Sequence, residues 1–106
     1  MIGVDIVRIS RFRNKTREFA ARILSESELE FYDQTAEKTQ VLASLWAIKE
    51  AIFKADNSYN EFSKISVNRQ ANQWMHPDFW LTLSHEDDLV VAVAFKKSKE
   101  NYGNWN

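Results

Sequence analysis

Residues 36–56, A-E-K-T-Q-V-L-A-S-L-W-A-I-K-E-A-I-F-K-A-D, decide how this chain folds. Val41, Leu42, Leu45, Trp46, Ile48, Ile52 and Phe53 recur with a 3.6-residue period and make a broad apolar arc. The other side is built from Ala43, Ser44, Ala47, Ala51 and Ala55, residues small enough to let another element approach closely. A helix apolar on one side and small on the other is expected to be buried on both. Lys49 falls within the apolar arc, so it must snorkel or find a partner. Glu50 and Lys54, four residues apart, share one face.

Working outward, Ser25 and Glu28 form an S-x-x-E capping box that opens a helix from Glu26 to Asp33. Residues 16–24 read as a further helix, and residues 2–7, I-G-V-D-I-V, as a short buried strand interrupted by Asp5. Residues 57–62 are a polar loop. Lys64–Asn68 alternates as a strand with Ile65 and Val67 on one face, and residues 69–78 read as irregular. Trp80–Ser84 and Leu89–Phe95 read as strands joined through His85-Glu86-Asp87-Asp88 into an antiparallel hairpin. One strand, then helices, then antiparallel strands is an α+β order. Residues 1–96 are expected to be a single domain and 97–106 a polar, frayed tail.

The chain has 106 residues, a formal net charge of -1 and 44% hydrophobic residues. A core this small is thin, so association with other copies would help it. The absence of cysteine excludes disulfides, thiolate metal sites and a Cys nucleophile. No apolar run is long enough to span a bilayer and no secretory leader is visible, so a cytoplasmic protein without membrane contact is expected. Balanced charge gives no reason to expect nucleic acid. The local cluster Arg8, Arg11, Arg13, Lys15 and Arg17 reads either as a solvated face or as a receiver for an acidic partner.

Asp5, between Val4 and Ile6, is costly unless paired, so it reads as a salt-bridged residue or as a metal ligand. Glu50 and Lys54 read as an ordinary exposed ion pair or as parts of a site. Magnesium is often held by only one or two carboxylates, with phosphate and water completing its octahedron, and Asp5 with Glu50 could be that pair. His85 reads equally as a turn residue or a functional one, and His76, before Pro77, as structural. Phosphate-loop, dinucleotide and hydrolase motifs are missing.

Several segments in register resemble the small trimeric holo-[acyl-carrier-protein] synthases of the 4'-phosphopantetheinyl transferase family. These are I-G-V-D-I-V-R-I-S-R-F at 2–12, F-A-A-R-I-L-S-E-S-E-L at 19–29, L-A-S-L-W-A-I-K-E-A-I-F-K-A at 42–55 and L-T-L-S-H-E-D-D-L-V-V-A-V-A at 81–94. The resemblance implies the family's fold and the transfer of phosphopantetheine from coenzyme A to a serine of apo acyl carrier protein, releasing 3',5'-ADP. It implies Asp5 and Glu50 as magnesium ligands and Asp5, Glu50 and Lys54 as the catalytic set, with Lys54 at the transferring phosphate. It places His85, Ser84, Lys49 and Lys54 at the coenzyme A site, and Arg11 and Arg22 toward the carrier protein, with Arg11 facing that partner's acidic helix. Either Glu50 or a metal-bound water would be the base. It further implies a homotrimer with active sites at subunit interfaces.

The chain departs from the family at Leu45, where Arg is usual, and at Asn57-Ser58-Tyr59-Asn60, where a Gly-Thr-Gly loop is usual. Its connection between residues 68 and 80 is also shorter. A non-catalytic module that only binds acyl carrier protein, and a structural subunit with Asp5 and Glu50 in salt bridges, are the alternatives.

Overall fold

The computed structural model describes residues 1–98. Strand β1 (Ile2–Arg8) runs through a 3-10 turn at Ile9–Phe12 into helices α1 (Arg17–Ile23), α2 (Glu26–Gln34) and α3 (Lys38–Ala55). A second 3-10 turn at Phe62–Lys64 precedes β2 (Asn68–Gln70), β3 (Gln73–Met75), β4 (Phe79–Glu86) and β5 (Leu89–Lys96). The α+β order expected from the sequence is the order found. Thr16 caps α1 by accepting from the Phe19 amide, and the Ser25/Glu28 capping box opens α2 in both directions.

The last strand enters the middle of the sheet. The order is β1-β5-β4, antiparallel throughout, with Asp5 opposite Ala92 and Ala92 opposite Leu83. Helix α3 lies across one face, packed most extensively on β1 and β5. Its small residues Ala43, Ala47, Ala51 and Ala55 are buried, as are Leu42, Leu45, Ile48 and Ile52. Contact at the β1 end is so close that a Cβ built on Gly3 would lie 2.0 Å from the Ala51 carbonyl oxygen and 2.7 Å from the Ala55 nitrogen. Only glycine fits there. At its other end α3 reaches β4, where the Gln40 amide lies 3.4 Å from His85 Nε2.

Lys49 finds its partner inside. Its ammonium lies 2.6 Å from Glu28 Oε1, with both side chains fully inaccessible, and donates to the Phe62 and Ile65 carbonyls at 2.7 Å each. Glu28 also accepts the Ser25 and Val67 amides. Burial pulls the Lys49 ammonium below its ordinary pKa, and the Glu28 charge opposes that pull. The pair thus fastens α2, α3 and residues 62–67 together.

Several sequence expectations are corrected. β1 is buried on one face only, since Ile2, Val4 and Ile6 are 62%, 55% and 58% exposed. Residues 64–68 do not form one strand. Ile65 and Val67 are buried as expected, but the Val67 amide goes to the Glu28 side chain, not to a strand partner. The segment 69–78 is not irregular. It holds the β2–β3 hairpin, turned by Ala71 and Asn72 with φ of 49° and 64°. Positive φ at both central positions is the tight-hairpin signature, although Ala is an unusual residue for it. His85 and Glu86 belong to β4, leaving Asp87 (φ 53°) and Asp88 as the turn. The expected frayed tail lies for the most part outside the described residues.

Gly3→Ala should lower the unfolding free energy by about 3 kcal/mol, the upper end for overpacking because the clash is with backbone. A wild-type denaturation midpoint would refute the close approach. Lys49→Met leaves the Glu28 charge buried without its counter-ion and should cost roughly 3–5 kcal/mol. Chemical denaturation should show the Glu28→Gln/Lys49→Met double variant recovering part of that loss.

Candidate active site

Along β1, side chains alternate between faces, so Asp5 shares the α3 side with Gly3 and Val7. The close approach at Gly3 brings the last turns of α3 onto this strand, and Lys54 donates to the Val4 carbonyl at 3.2 Å and to Asp5 Oδ1 at 2.9 Å. Lys54 is half-exposed, while the Asp5 side chain is only 12% exposed. Glu50 sits one helical turn before Lys54, half-buried on the same flank. The Asp5 hydrogen bond raises the Lys54 pKa above its ordinary value, and the Asp5 and Glu50 charges add to the rise.

Asp5 Oδ2 is buried with no hydrogen-bond partner. An orphaned carboxylate oxygen is expensive unless it serves a cation or a ligand. Asp5 and Glu50 are hard oxygen donors of the kind magnesium takes, and one or two such groups are enough beside phosphate. Among the described residues no group of three or more His, Cys, Asp or Glu side chains could cage a metal, so a metal here would need a ligand's oxygens. The residues present fit such an ion.

The other expected residues lie elsewhere. His85 is exposed on β4, the opposite edge of the sheet from Asp5, with β5 between them. It overlooks a groove of about 440 Å³ that is lined by Gln40 and Ser44 of α3, Arg69 and Trp74 of the hairpin, and Leu83. Ser84 is exposed and, one residue before His85 on the same strand, points to the other sheet face. Lys49 is corrected as a coenzyme A contact. Its ammonium is consumed by Glu28 and two carbonyls within the core. Arg11 and Arg22 are exposed, and the Arg11 guanidinium lies over the Phe12 and Trp46 rings at 5.2 and 5.3 Å. His76 is structural, as expected. It is buried, its Nδ1 accepts the Asp78 amide at 3.0 Å, and burial lowers its pKa.

The departures also have places. Leu45 is fully buried in the core. In the loop at 57–60, the Ser58 amide donates to Asp56 Oδ1 and the Tyr59 amide to the Asp56 carbonyl. Lys96 pairs with Asp56, and together with Ser58 holds that carboxyl far below its usual range. The Tyr59 hydroxyl donates to Asp78 at 2.9 Å. Sequence reasoning passed over Arg69, whose only signal was a basic residue in a segment read as irregular.

A largely buried carboxylate tied to a lysine, with a second carboxylate one helical turn before that lysine on the packed helix, is a donor set compatible with a cation that carries phosphate. A model of the 4'-phosphopantetheinyl transferase superfamily matches residues 1–94. The holo-[acyl-carrier-protein] synthase of Mycoplasma mobile is 48% identical over 104 residues, covering 98% of this chain and 95% of that protein. That of Mycoplasmopsis pulmonis is 44% identical over 96 residues, covering 91% and 89%. Among solved structures, a holo-(acyl-carrier-protein) synthase from Bacillus anthracis in complex with CoA (3',5'-ADP) superposes with a TM-score of 0.75 at 26% identity, covering 92% of this chain and 96% of that one. The Thermotoga maritima synthase gives a TM-score of 0.76 at 24% identity, covering 92% and 63%, and supports the fold. The chain belongs to the holo-[acyl-carrier-protein] synthase family of the 4'-phosphopantetheinyl transferase superfamily.

Replacing Asp5 by Asn should lower the pH at which the Lys54 ammonium titrates, because the cause of its raised pKa is removed. NMR titration of labelled lysine would read this, and an unmoved Lys54 would break the pairing.

Proposed function

We propose that this chain transfers 4'-phosphopantetheine from coenzyme A to a serine of apo acyl carrier protein, releasing 3',5'-ADP, with Asp5, Glu50 and Lys54 as its catalytic residues. The observation that carries this reading is the largely buried Asp5 carboxylate, bonded through one oxygen to Lys54 and unpartnered at the other. The curated relatives bear the synthase name over nearly their whole length, and the Bacillus anthracis structure holds coenzyme A.

In the reaction, the serine oxygen forms a bond to the β-phosphorus of coenzyme A as the bond to the departing 3',5'-ADP oxygen breaks. Charge spreads over non-bridging and leaving oxygens, so fixed positive charge and alignment supply most of the catalysis. Magnesium held by Asp5 and Glu50 would neutralise the pyrophosphate. Lys54, anchored by Asp5 and the Val4 carbonyl, would place its ammonium against the leaving oxygen. Glu50, half-buried and one turn away, or a metal-bound water would take the serine proton.

His85 stands at the far sheet edge from Asp5, and we assign it to a neighbouring copy's active site. The apolar face formed by Ile2, Val4, Ile6, Trp80 and Phe95 supports such self-association, since monomers rarely expose so much contiguous apolar surface. A homotrimer would cover that face and bring each His85 groove beside the next copy's Asp5. Arg11 and Arg22 would receive the acidic carrier protein, and Ser84, on the association face, would support His85 only through the backbone. The reaction belongs to lipid metabolism in the cytoplasm. No helix among the described residues is long and apolar enough to cross a membrane.

Incubation with coenzyme A, magnesium and apo carrier protein, read by intact mass, should show the phosphopantetheine increment. Asp5→Ala and Glu50→Ala should abolish it with the fold retained, and Lys54→Ala should slow it about 10²–10³-fold. Chelation of magnesium should stop it. Full activity in either carboxylate variant would defeat the assignment, and no transfer by the unaltered chain would leave the carrier-binding module.

A further inference from the structure

We propose that Arg69 is the residue by which this chain recognises the 3'-phosphate of coenzyme A; the proposal rests on the transferase reading above. The need for such a residue is set by what the chain lacks. Leu45 is sealed in the core and offers no charge. The backbone amides of Ser58 and Tyr59 are already bonded to Asp56, so these two are not free to hold phosphate. Lys49 is spent on Glu28.

Coenzyme A carries two separate anionic centres, its pyrophosphate and its 3'-phosphate. The pyrophosphate contains the reacting phosphorus and must lie at Asp5, Glu50 and Lys54. The 3'-phosphate projects from the ribose and requires a second cationic contact some distance away. The His85 groove lies at the opposite sheet edge, so it serves the Asp5 centre of an adjoining copy. Arg69 is the permanently charged cation lining that groove.

Its setting favours anion capture. Arg69 is exposed, and no ion pair engages it among the described residues. It stands directly opposite Trp74 in the β2–β3 register, with its guanidinium 5.0 Å from that ring's centroid. Trp74 is itself buried and fixed edge-on by Phe31 at 5.4 Å. Stacking thus orients the planar fork before ligand arrives, which reduces the ordering cost of a two-pronged contact to phosphate. Glu37 lines the same groove and opposes an anion, but it is exposed at the start of α3, where water and salt screen it. His85 lines the same groove and its ring can add a donor.

The test compares coenzyme A with 3'-dephospho-coenzyme A as donors for the full chain and for Arg69→Met and Arg69→Lys. The unaltered chain should favour coenzyme A in kcat/KM. Arg69→Met should raise KM for coenzyme A about 10- to 100-fold, as expected for loss of charge-assisted hydrogen bonds, with kcat little changed. Its kinetics with the dephospho donor should stay at the wild-type level, which also certifies the fold. Arg69→Lys should recover part of the loss. An unchanged donor preference in Arg69→Met, or an equal loss on both donors, overturns the role of Arg69. Absence of transfer from coenzyme A by the unaltered chain overturns the transferase reading itself and is a different result.

Discussion

The contact of Gly3 with the backbone of Ala51 and Ala55 sets everything else in place. It lets α3 descend onto β1 until backbone meets backbone, and only from that height can Lys54 reach both the Val4 carbonyl and Asp5. The small residues of α3 serve the same end along the rest of the sheet. Their burial yields little apolar area per residue, so the thin core leans on Phe12, Phe79, Leu42 and Leu45, which fill the remaining space. The site is thus a by-product of tight packing. A carboxylate that would be costly in a strand becomes useful because a lysine arrives on the descending helix.

Two lysines on that helix show how position determines role. Lys49 and Lys54 belong to the same run of sequence, yet one is sealed inside with Glu28 and the other is half-exposed beside Asp5. Removing water raises the electrostatic stakes of the first pair and makes it a structural clasp. The second stays partly wet, so its ammonium remains open to solvent. A shared motif does not make neighbouring residues share a function.

Much of this was legible in the sequence. The period of residues 36–56 located α3 and both of its buried sides, and the Ser25/Glu28 box located α2 to within a residue. Lys49 was recognisably in need of a partner, but nothing in the sequence named Glu28, a residue already explained by its cap. The β2–β3 hairpin escaped notice because Ala71-Asn72 is not the glycine-bearing pair that usually marks such turns. β1 looked fully buried because an apolar run does not distinguish a face that meets a helix from a face left exposed. The convergence of Asp5 with Lys54 spans 49 positions and could come only from resemblance or from coordinates.

Helix α3 also constrains how this protein can vary over generations. Lys49 points inward and Glu50 outward, and adjacent residues on a helix differ in direction by about 100°. Insertion of one codon between Gln40 and Lys49 would move the lysine to the outward position now held by Glu50 and push Glu50 into the buried position of Ala51 in a single event. Substitutions can accumulate in the 57–60 loop, where length and composition have room to drift. The reading frame of one helix must stay fixed, so its length is inherited more strictly than its letters.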